Sequence, residues 1–226
     1  MPDYLLEKAL IARLRRRTDP PPIVVGLDES GRGPWAGPVV AAAVWLDPAR
    51  CPKPLVAALD DSKRVPEPRR GELGAGLEDC MARGTAAFAL GEATVEEIDR
   101  LNVLEASLLA MTRAAAALAE RLGRPIAGAL VDGNRAPKPG EGLDCAFEPV
   151  VGGDRLSVSI AAASILAKVT RDAMMDRLAE HHPGYGWEHN RGYGTPGHRL
   201  ALARLGASPE HRRSFRPVRE ILDPSI

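Results

Sequence analysis

Short apolar runs alternate with longer helical patterns along this chain. The runs Ile23 to Asp28 and Val39 to Leu46 have apolar residues at consecutive positions, which is typical of strands buried on both faces. The short interval between them allows a β-hairpin. Three further apolar runs predict strands at Ala86 to Gly91, Ala127 to Val131 and Cys145 to Val150. The pattern therefore predicts five strands.

Helical patterns occupy the intervals between the predicted strands. Thr94 and Glu97 have the spacing of a capping box, and they open a helical pattern that runs to about Leu122. After Gly153, apolar residues at helical spacing predict a second long helix. Shorter helices are predicted at Leu5 to Arg17, Pro68 to Cys80, Gly197 to Leu205 and Val218 to Leu222. We therefore expect one α/β core with a helical C-terminal appendage.

Composition narrows the class of protein. The three cysteines of the 226 residues lie far apart without a Cys-x-x-Cys pair, which favours a reduced, cytoplasmic protein and disfavours a zinc site. The longest apolar run, Val39 to Leu46, is too short to cross a membrane, so we expect a soluble protein. The net charge is zero, but the segment between Tyr185 and Arg219 contains seven arginines and only two glutamates. That basic segment makes a nucleic-acid partner compatible with the neutral average.

Acidic residues stand where predicted strands or helices begin or end. Asp28 and Glu29 end the first strand, Asp132 ends a later one, and Asp154 follows a glycine pair at a predicted helix start. Ligands gather at strand ends in α/β sheets, so we expect these acids to converge. Carboxylates brought so close repel one another unless a cation lies among them. Their oxygens suit Mg²⁺ or Mn²⁺, and two such ions can promote phosphodiester hydrolysis.

Each of these acids also has a purely structural interpretation. Asp154 alone is more typical of a helix N-cap, and the sequence "VDGN" around Asp132 is more typical of a turn. The coincidence of three such ends in one chain, without a His or Cys cluster, favours the metal interpretation. A dinucleotide site is disfavoured, because "GRGPWAG" departs from the G-x-G-x-x-G motif: its third glycine comes one residue too late. The segment that follows also has a strand pattern, whereas a dinucleotide motif leads into a helix.

Five segments together resemble a known family. They are "GLDESGRGPWAGPVVAAAV", "DDSKRV", "VDGN", "GGDRLSVSIAAASILAKVTRD" and "HPGYGWEHNRGYGTPGHRLALARLGASPEHRRSFRPV". Their order and content resemble bacterial ribonuclease HII, the type-2 ribonuclease H, from about Ile23 to Val218. The resemblance implies a ribonuclease H-like mixed five-stranded sheet flanked by helices, with a helical C-terminal extension. We expect a catalytic core (23–182) and C-terminal substrate-binding loop and helices (183–226), preceded by an N-terminal helix and linker (1–22) that lies outside the resemblance.

The resemblance also implies an activity and its partners. The family hydrolyses the RNA strand of RNA/DNA hybrids and nicks duplex DNA on the 5′ side of a single embedded ribonucleotide, with Mg²⁺ or Mn²⁺. By this resemblance, the catalytic and metal-binding acids are Asp28, Glu29, Asp132 and Asp154. We expect a monomer in the cytoplasm. Two alternatives remain: another nuclease or transferase of this fold, such as ribonuclease HIII or a resolvase, and a noncatalytic nucleic-acid binding module.

Substrate contacts follow from the same resemblance. The backbone of Gly31-Arg32-Gly33 is expected to read the 2′-hydroxyl of the ribonucleotide, with Arg32 holding phosphate. Tyr193 is expected to stack on the next deoxyribose, with Tyr185 as a packing residue, although the sequence alone leaves the exchange of the two open. Further candidates for phosphate contacts are Ser62, Lys63, Ser164 and Lys168, the last of which is almost as well interpreted as a solvated lysine.

Two positions near these motifs carry other expectations. Asp172 in "KVTRD" is expected at a helix surface or helix cap rather than in the acidic site. Val151-Gly152-Gly153 supplies no charge where the family often has a lysine, so one phosphate contact is expected to be missing.

Overall fold

The described strands form one mixed sheet in the computed structural model of the chain, which covers residues 1–15, 20–138 and 144–222. The sheet has five strands in the order β3-β2-β1-β4-β5. The strands are β1 (Ile23–Ser30), β2 (Val39–Leu46), β3 (Ala86–Ala93), β4 (Ile126–Asp132) and β5 (Ala146–Val150). β1 pairs antiparallel with β2 and parallel with β4, and β4 pairs parallel with β5. The predicted five strands and the hairpin are therefore confirmed.

Helices cover both faces of this sheet. In the described ranges they are α1 (Leu5–Leu14), α2 (Lys53–Ala58), α3 (Glu67–Ala82), α4 (Val95–Leu101), α5 (Val103–Leu122), α6 (Val158–His181), α7 (Trp187–Asn190), α8 (Pro196–Leu205) and α9 (Arg216–Leu222). Alanines of α5 join Val25 and Leu27 in one core cluster, whereas alanines of α6 join Ala42 and Val44 in another. Of these helices, none combines the length and the apolar composition that a bilayer crossing requires.

The fit between α6 and β1 is close enough to require a glycine. A Cβ atom on Gly26 would lie 2.2 Å from the backbone carbon of Ser159, a distance that no real side chain tolerates. The absent side chain therefore lets the first turns of α6 rest directly on the central strand. This contact fixes the start of α6 relative to the carboxyl end of β1.

The helical pattern after Thr94 differs from its prediction in one respect. The capping box at Thr94 and Glu97 is confirmed, but the helix breaks at Asn102. Asn102 has a φ of 73°, and its side chain accepts hydrogen bonds from the N–H groups of Leu104 and Glu105. The positive φ ends α4, and the Asn102 side chain caps a new helix, so one predicted helix becomes α4 and α5.

The other predicted helices are present in the structure, although some of their first and last residues differ from the predicted ones by a few positions. The sequence patterns did not predict the short helices α2 and α7. At the N-terminus, α1 begins as expected at Leu5, whereas residues 16 and 17 of that prediction lie outside the described residues.

The N-terminal helix is anchored to the start of α6 by a buried carboxylate. One oxygen of Glu7 accepts hydrogen bonds from the Ser157 hydroxyl (2.6 Å), the Ser159 hydroxyl (2.7 Å) and the Ser159 N–H (2.9 Å). Ser157 in turn caps α6, and its N–H donates to the carbonyl of Gly153 at 2.8 Å. Residues before the first strand are thereby joined to the turn that carries Asp154.

We predict that Glu7→Ala lowers the free energy of unfolding by about 3 kcal/mol, because it leaves buried donors without an acceptor. Urea denaturation of the two proteins measures this difference. Lys8→Ala, at an exposed position of the same helix, is the matched control and should leave the midpoint unchanged. Equal midpoints for the Glu7 variant and the wild type would contradict the anchoring role.

Candidate active site

Three acidic side chains meet at one edge of the sheet. Asp28 near the end of β1 and Asp132 at the end of β4 lie on neighbouring parallel strands, in which Leu27 pairs with Val131. Asp154 lies in a 3₁₀ turn, Gly153–Arg155, that follows β5. One carboxylate oxygen from each of the three lies within 4.8 Å of the others. The sequence-based expectation that acids from separate segments converge holds for these three.

Asp154 does not cap the long helix. The N-cap of α6 is Ser157, whose hydroxyl accepts a hydrogen bond from the N–H of Ile160 at 3.2 Å. The N–H of Asp154 donates to a carboxylate oxygen of Asp132 at 3.3 Å. The capping interpretation of Asp154 is therefore excluded, and its side chain is available to the acidic cluster.

Glu29 lies beside this cluster rather than within its closest group. Its carboxylate is 3.4 Å from the guanidinium of Arg32. Both side chains line a cleft of about 380 Å³ that also contains the three aspartates. The structure thus places all four predicted acids in one cleft, with Glu29 paired to the arginine of the glycine-rich loop.

Burial and mutual repulsion disfavour the charged forms of these acids. The pKa of Asp28 is raised well above its usual range, first by burial and then by the charges of Glu29 and Asp132. The pKa of Asp154 is raised to about 6, again by burial first and then by Asp132 and Asp61. Burial also raises the pKa of Glu29, although Arg32 opposes the shift. Such a cluster gains stability from a bound cation.

The cleft contains nearly all the predicted substrate contacts. Besides the four acids, its walls include Ser30, Gly31, Arg32, Ser62, Lys63, Ser164, Lys168 and Tyr193. Gly33 is the one predicted site residue that does not line it. Ser62 and Ser164 are buried, and the Ser164 hydroxyl donates a hydrogen bond to the Ser62 hydroxyl at 2.9 Å, which makes this part of the cleft wall rigid. Lys63, in contrast, is exposed.

Asp172 is not on a helix surface, and that prediction is wrong. It is only 7% exposed and lies in the middle of α6. Its carboxylate is 2.5 Å from the Lys168 ammonium, 3.7 Å from the Arg70 guanidinium and 4.0 Å from that of Arg191. The sequence did not reveal this role because α3 and the C-terminal segment bring the partner arginines from distant positions. Asp172 therefore holds Lys168 at the cleft, which excludes the interpretation of Lys168 as a freely solvated lysine.

The two candidate tyrosines have different environments. Tyr193 is 46% exposed and lines the cleft. Tyr185 is 8% exposed, stacks on Trp187 at 5.0 Å between ring centroids, and donates its hydroxyl to the carbonyl of Gly206 at 2.8 Å. The structure therefore confirms Tyr185 as a packing residue and leaves Tyr193 as the aromatic side chain that can meet a ligand.

The glycines of the loop after β1 serve different purposes. Gly31 has a φ of 109°, and a Cβ atom there would lie 2.2 Å from Nε of Arg171. A side chain at this position would thus point into a buried arginine rather than toward a sugar. At Gly33 the nearest heavy atom to an added Cβ is Cε1 of Tyr193, at 3.5 Å. Within 4 Å, a side chain at Gly33 would therefore meet only the exposed ring of Tyr193, so the missing side chain leaves that ring and the loop backbone accessible to a ligand.

This geometry predicts opposite outcomes for two substitutions. Gly31→Val should destabilise the fold through a steric clash and an unfavourable φ, at a cost of more than about 1–2 kcal/mol, and so cannot test sugar recognition cleanly. Gly33→Ala should keep the thermal midpoint of the wild type and weaken substrate binding. Thermal unfolding and duplex affinity, measured for both variants, check this. A normal midpoint for Gly31→Val would contradict the clash.

The basic C-terminal segment is less available to nucleic acid than its composition suggests. Arg212 is fully buried, and the Arg191 side chain, 16% exposed, pairs with Glu67 and Asp176. Phe215 and Val218 pack on the core. The remaining arginines of the segment are exposed: Arg199, Arg204, Arg213, Arg216 and Arg219. Sequence reasoning missed the structural roles of Arg171 and Arg212, because nothing in their neighbours along the chain distinguishes a buried arginine from an exposed one.

Solved structures with this fold define the class of protein. Ribonuclease H2 from Pyrococcus horikoshii OT3 superposes with a TM-score of 0.70 at 26% identity, covering 89% of this chain and 97% of that one. Bst-RNase HIII in complex with Mn²⁺ gives a TM-score of 0.68 over 89% of this chain and 69% of that one; its 18% identity shows the fold alone. The fold is that of the ribonucleases H, and the acidic cleft lies at the ends of its central strands.

Sequence comparison then gives the family. The family model described as Ribonuclease HII matches residues 25–218. The Ribonuclease HII of Paramagnetospirillum magneticum is 58% identical over 200 residues, which cover 88% of this chain and 93% of the relative. The chain therefore belongs to the ribonuclease HII family. It is a metal-dependent ribonuclease H, a phosphodiester hydrolase, so the alternatives of a noncatalytic module, a resolvase and a ribonuclease HIII are set aside.

Proposed function

We propose that this protein hydrolyses the RNA strand of RNA/DNA hybrids and nicks duplex DNA on the 5′ side of single embedded ribonucleotides. The observation that carries this proposal is the shared cleft. One cavity is lined by Asp28, Asp132 and Asp154 and also by Gly31 and Tyr193. The acidic cluster that can hold a cation therefore lies beside the residues that can contact a sugar.

The donor set fits Mg²⁺ or Mn²⁺. Within the described residues, Asp28 and Asp132 form no salt bridge with a lysine or arginine; they accept hydrogen bonds from the N–H groups of Glu29 and Asp154 and lie close enough together to share a cation. Asp28, Asp132 and Asp154 would hold the metal, with Glu29 beside them. Hard carboxylate oxygens favour these two ions, and the Mn²⁺ complex of Bst-RNase HIII supports the choice. When bound, such ions supply water activation and stabilise the leaving oxygen, with two ions as our working hypothesis.

The remaining cleft residues would bind and orient the nucleic acid. Lys63, exposed at the rim, and Lys168, held by Asp172, are positioned to contact the phosphate backbone. The buried Ser62 and Ser164 offer hydroxyl groups at the same wall. Arg32 is half exposed, so it can pair with a phosphate while it remains near Glu29. Phosphate contacts of this kind fix the position of a duplex without reading its base sequence.

Sugar recognition would come from the loop after β1 and from Tyr193. The exposed backbone at Arg32 and Gly33 is proposed to meet the 2′-hydroxyl, while the ring of Tyr193 covers the next deoxyribose. Residues 23–182 then form the catalytic core and residues 183–226 the substrate-binding appendage, preceded by an N-terminal helix and linker (1–22) whose Glu7 contacts the core. Since one chain supplies the whole cleft, we propose that the protein acts as a monomer. Its three free cysteines fit action in the cytoplasm.

A strand-specific cleavage assay tests this function. An RNA/DNA hybrid labelled on either strand is incubated with the protein in Mg²⁺, in Mn²⁺ and in excess chelator. We expect cleavage of the RNA strand with either metal, an intact DNA strand, and no cleavage in chelator. Cleavage of the DNA strand, or turnover in chelator, would refute the proposal.

A further inference from the structure

Two buried arginines lie beneath the loop that follows β1. Arg212, from the C-terminal segment, is 0% exposed, and Arg171, from α6, is 1% exposed. In the described residues, their guanidinium groups donate to backbone carbonyls, apart from one contact between Arg171 and the sulfur of Met175. Burial lowers the pKa of Arg212 to about 9 and that of Arg171 to about 10, so both remain charged near neutral pH.

Arg212 binds the two ends of this loop at once. It donates to the carbonyls of Gly31 at 2.6 Å and Arg32 at 3.1 Å. It also donates to Gly37 at 2.9 and 2.7 Å and to Pro38 at 3.2 Å. Hydrogen bonds to a charged donor are stronger than neutral ones, and a buried cation without them would be very unfavourable. The loop and the guanidinium therefore fix each other.

Arg171 holds the second half of the same loop. Its Nε donates to the carbonyl of Pro38 and its Nη2 to that of Ala36, both at 3.0 Å. The Nη1 group donates to the carbonyl of Arg191, also at 3.0 Å, which ties the loop to the segment that carries Tyr193. Two positive charges thus face the inner side of one short loop.

The direction of the carbonyls determines the direction of the N–H groups. In a trans peptide the C=O and the following N–H point opposite ways, and the described residues contain no cis peptide. Because the carbonyls of Gly31 and Arg32 turn inward to Arg212, the N–H groups of Arg32 and Gly33 turn outward. Among the described residues neither N–H has an intramolecular acceptor. By contrast, the N–H groups of Trp35 and Gly37 donate to Gly192 and Glu210 at 2.8 and 2.9 Å.

We propose that Arg212 is a positioning residue for sugar recognition, which holds the N–H groups of Arg32 and Gly33 toward the ribonucleotide. This inference rests on the proposed function, in which the loop reads the 2′-hydroxyl. The buried charge also polarises the peptides it binds, and this strengthens their outward donors. Arg212 itself touches neither substrate nor metal. It acts through the loop, with Arg171 supporting the far end.

The ratio of the affinities for two duplexes distinguishes a positioning role of Arg212 from a purely stabilising one. Affinities are measured, in Ca²⁺ to suppress cleavage, for two duplexes that differ only by one 2′-hydroxyl. Arg212→Lys keeps the charge but lacks the planar fork that reaches several carbonyls. We expect the preference for the ribonucleotide to fall about 3- to 30-fold, as for the loss of one or two hydrogen bonds, with unchanged affinity for the all-DNA duplex. Arg213→Lys, exposed and adjacent, is the matched control and should keep the wild-type ratio.

The possible outcomes are distinguishable. A folded Arg212→Lys protein that keeps the wild-type ratio would overturn the positioning role while leaving the proposed function intact. A wild-type protein that shows no preference would overturn sugar reading by the loop and this inference with it. If Arg212→Lys does not fold, Arg171→Lys takes its place and should lower the ratio less, because its contacts lie at Ala36 and Pro38. An unchanged ratio there would also overturn the inference.

Discussion

Asp132→Asn should leave the protein folded and remove most of its activity. The amide has the shape of the carboxylate and can still accept the hydrogen bond that the N–H of Asp154 donates at 3.3 Å. It is nevertheless a poor ligand for a divalent ion. Loss of a group that merely supports a metal ligand costs about 10- to 100-fold, so loss of a ligand should cost at least the upper value.

The measurement is initial rate on an RNA/DNA hybrid together with thermal unfolding of each variant. Asp79→Asn makes the same chemical change at a side chain that is 77% exposed, and it should behave as the wild type. Unimpaired turnover by the Asp132 variant would mean that this acid does not serve the metal site.

Tyr193→Ala should change substrate preference more than overall activity. Stacking of an aromatic side chain on nucleic acid contributes on the order of 1–3 kcal/mol, or about 5- to 150-fold, and the loss concerns the sugar that the ring covers. The quantity to compare is nicking of a single embedded ribonucleotide divided by cleavage of an all-RNA hybrid. We expect this ratio to fall strongly in the Ala variant and less in Tyr193→Phe, which keeps the ring.

A second tyrosine supplies the control for this comparison. Tyr185→Phe removes only the hydrogen bond to the carbonyl of Gly206, so it should affect stability and leave the ratio unchanged. An equal loss on both substrates in Tyr193→Ala would mean that Tyr193 supports the cleft without reading the junction.

The sequence predicted the centre of the sheet because β1, β2 and β4 are buried along most of their length. Consecutive apolar residues at positions 39–46 match β2 residue for residue, and the acids follow directly where such runs end. β1 runs two residues beyond its prediction, because Glu29 and Ser30 still pair with Ala41 and Val40 of the hairpin. Local patterns of this kind reveal where strands lie and which polar residues stand at their ends.

Long-range packing accounts for what the sequence could not predict. Asp172 is an ordinary helical acid by its neighbours, but arginines from two distant segments surround it. The direction in which a Gly31 side chain would point depends on Arg171, 140 positions later in the chain. Arg212 looked like one more basic residue of the C-terminal segment, whereas its burial makes it part of the loop after β1. These roles depend on contacts that no local periodicity records.

Mapping the cut on a duplex with one ribonucleotide tests the central claim most directly, because it requires the acidic cluster and the sugar-reading surface to act on one site. The account predicts a single nick on the 5′ side of the ribonucleotide in Mg²⁺ or Mn²⁺, with no nick in an all-DNA duplex of the same sequence. A cut on the 3′ side, or equal cutting of the all-DNA duplex, would contradict it.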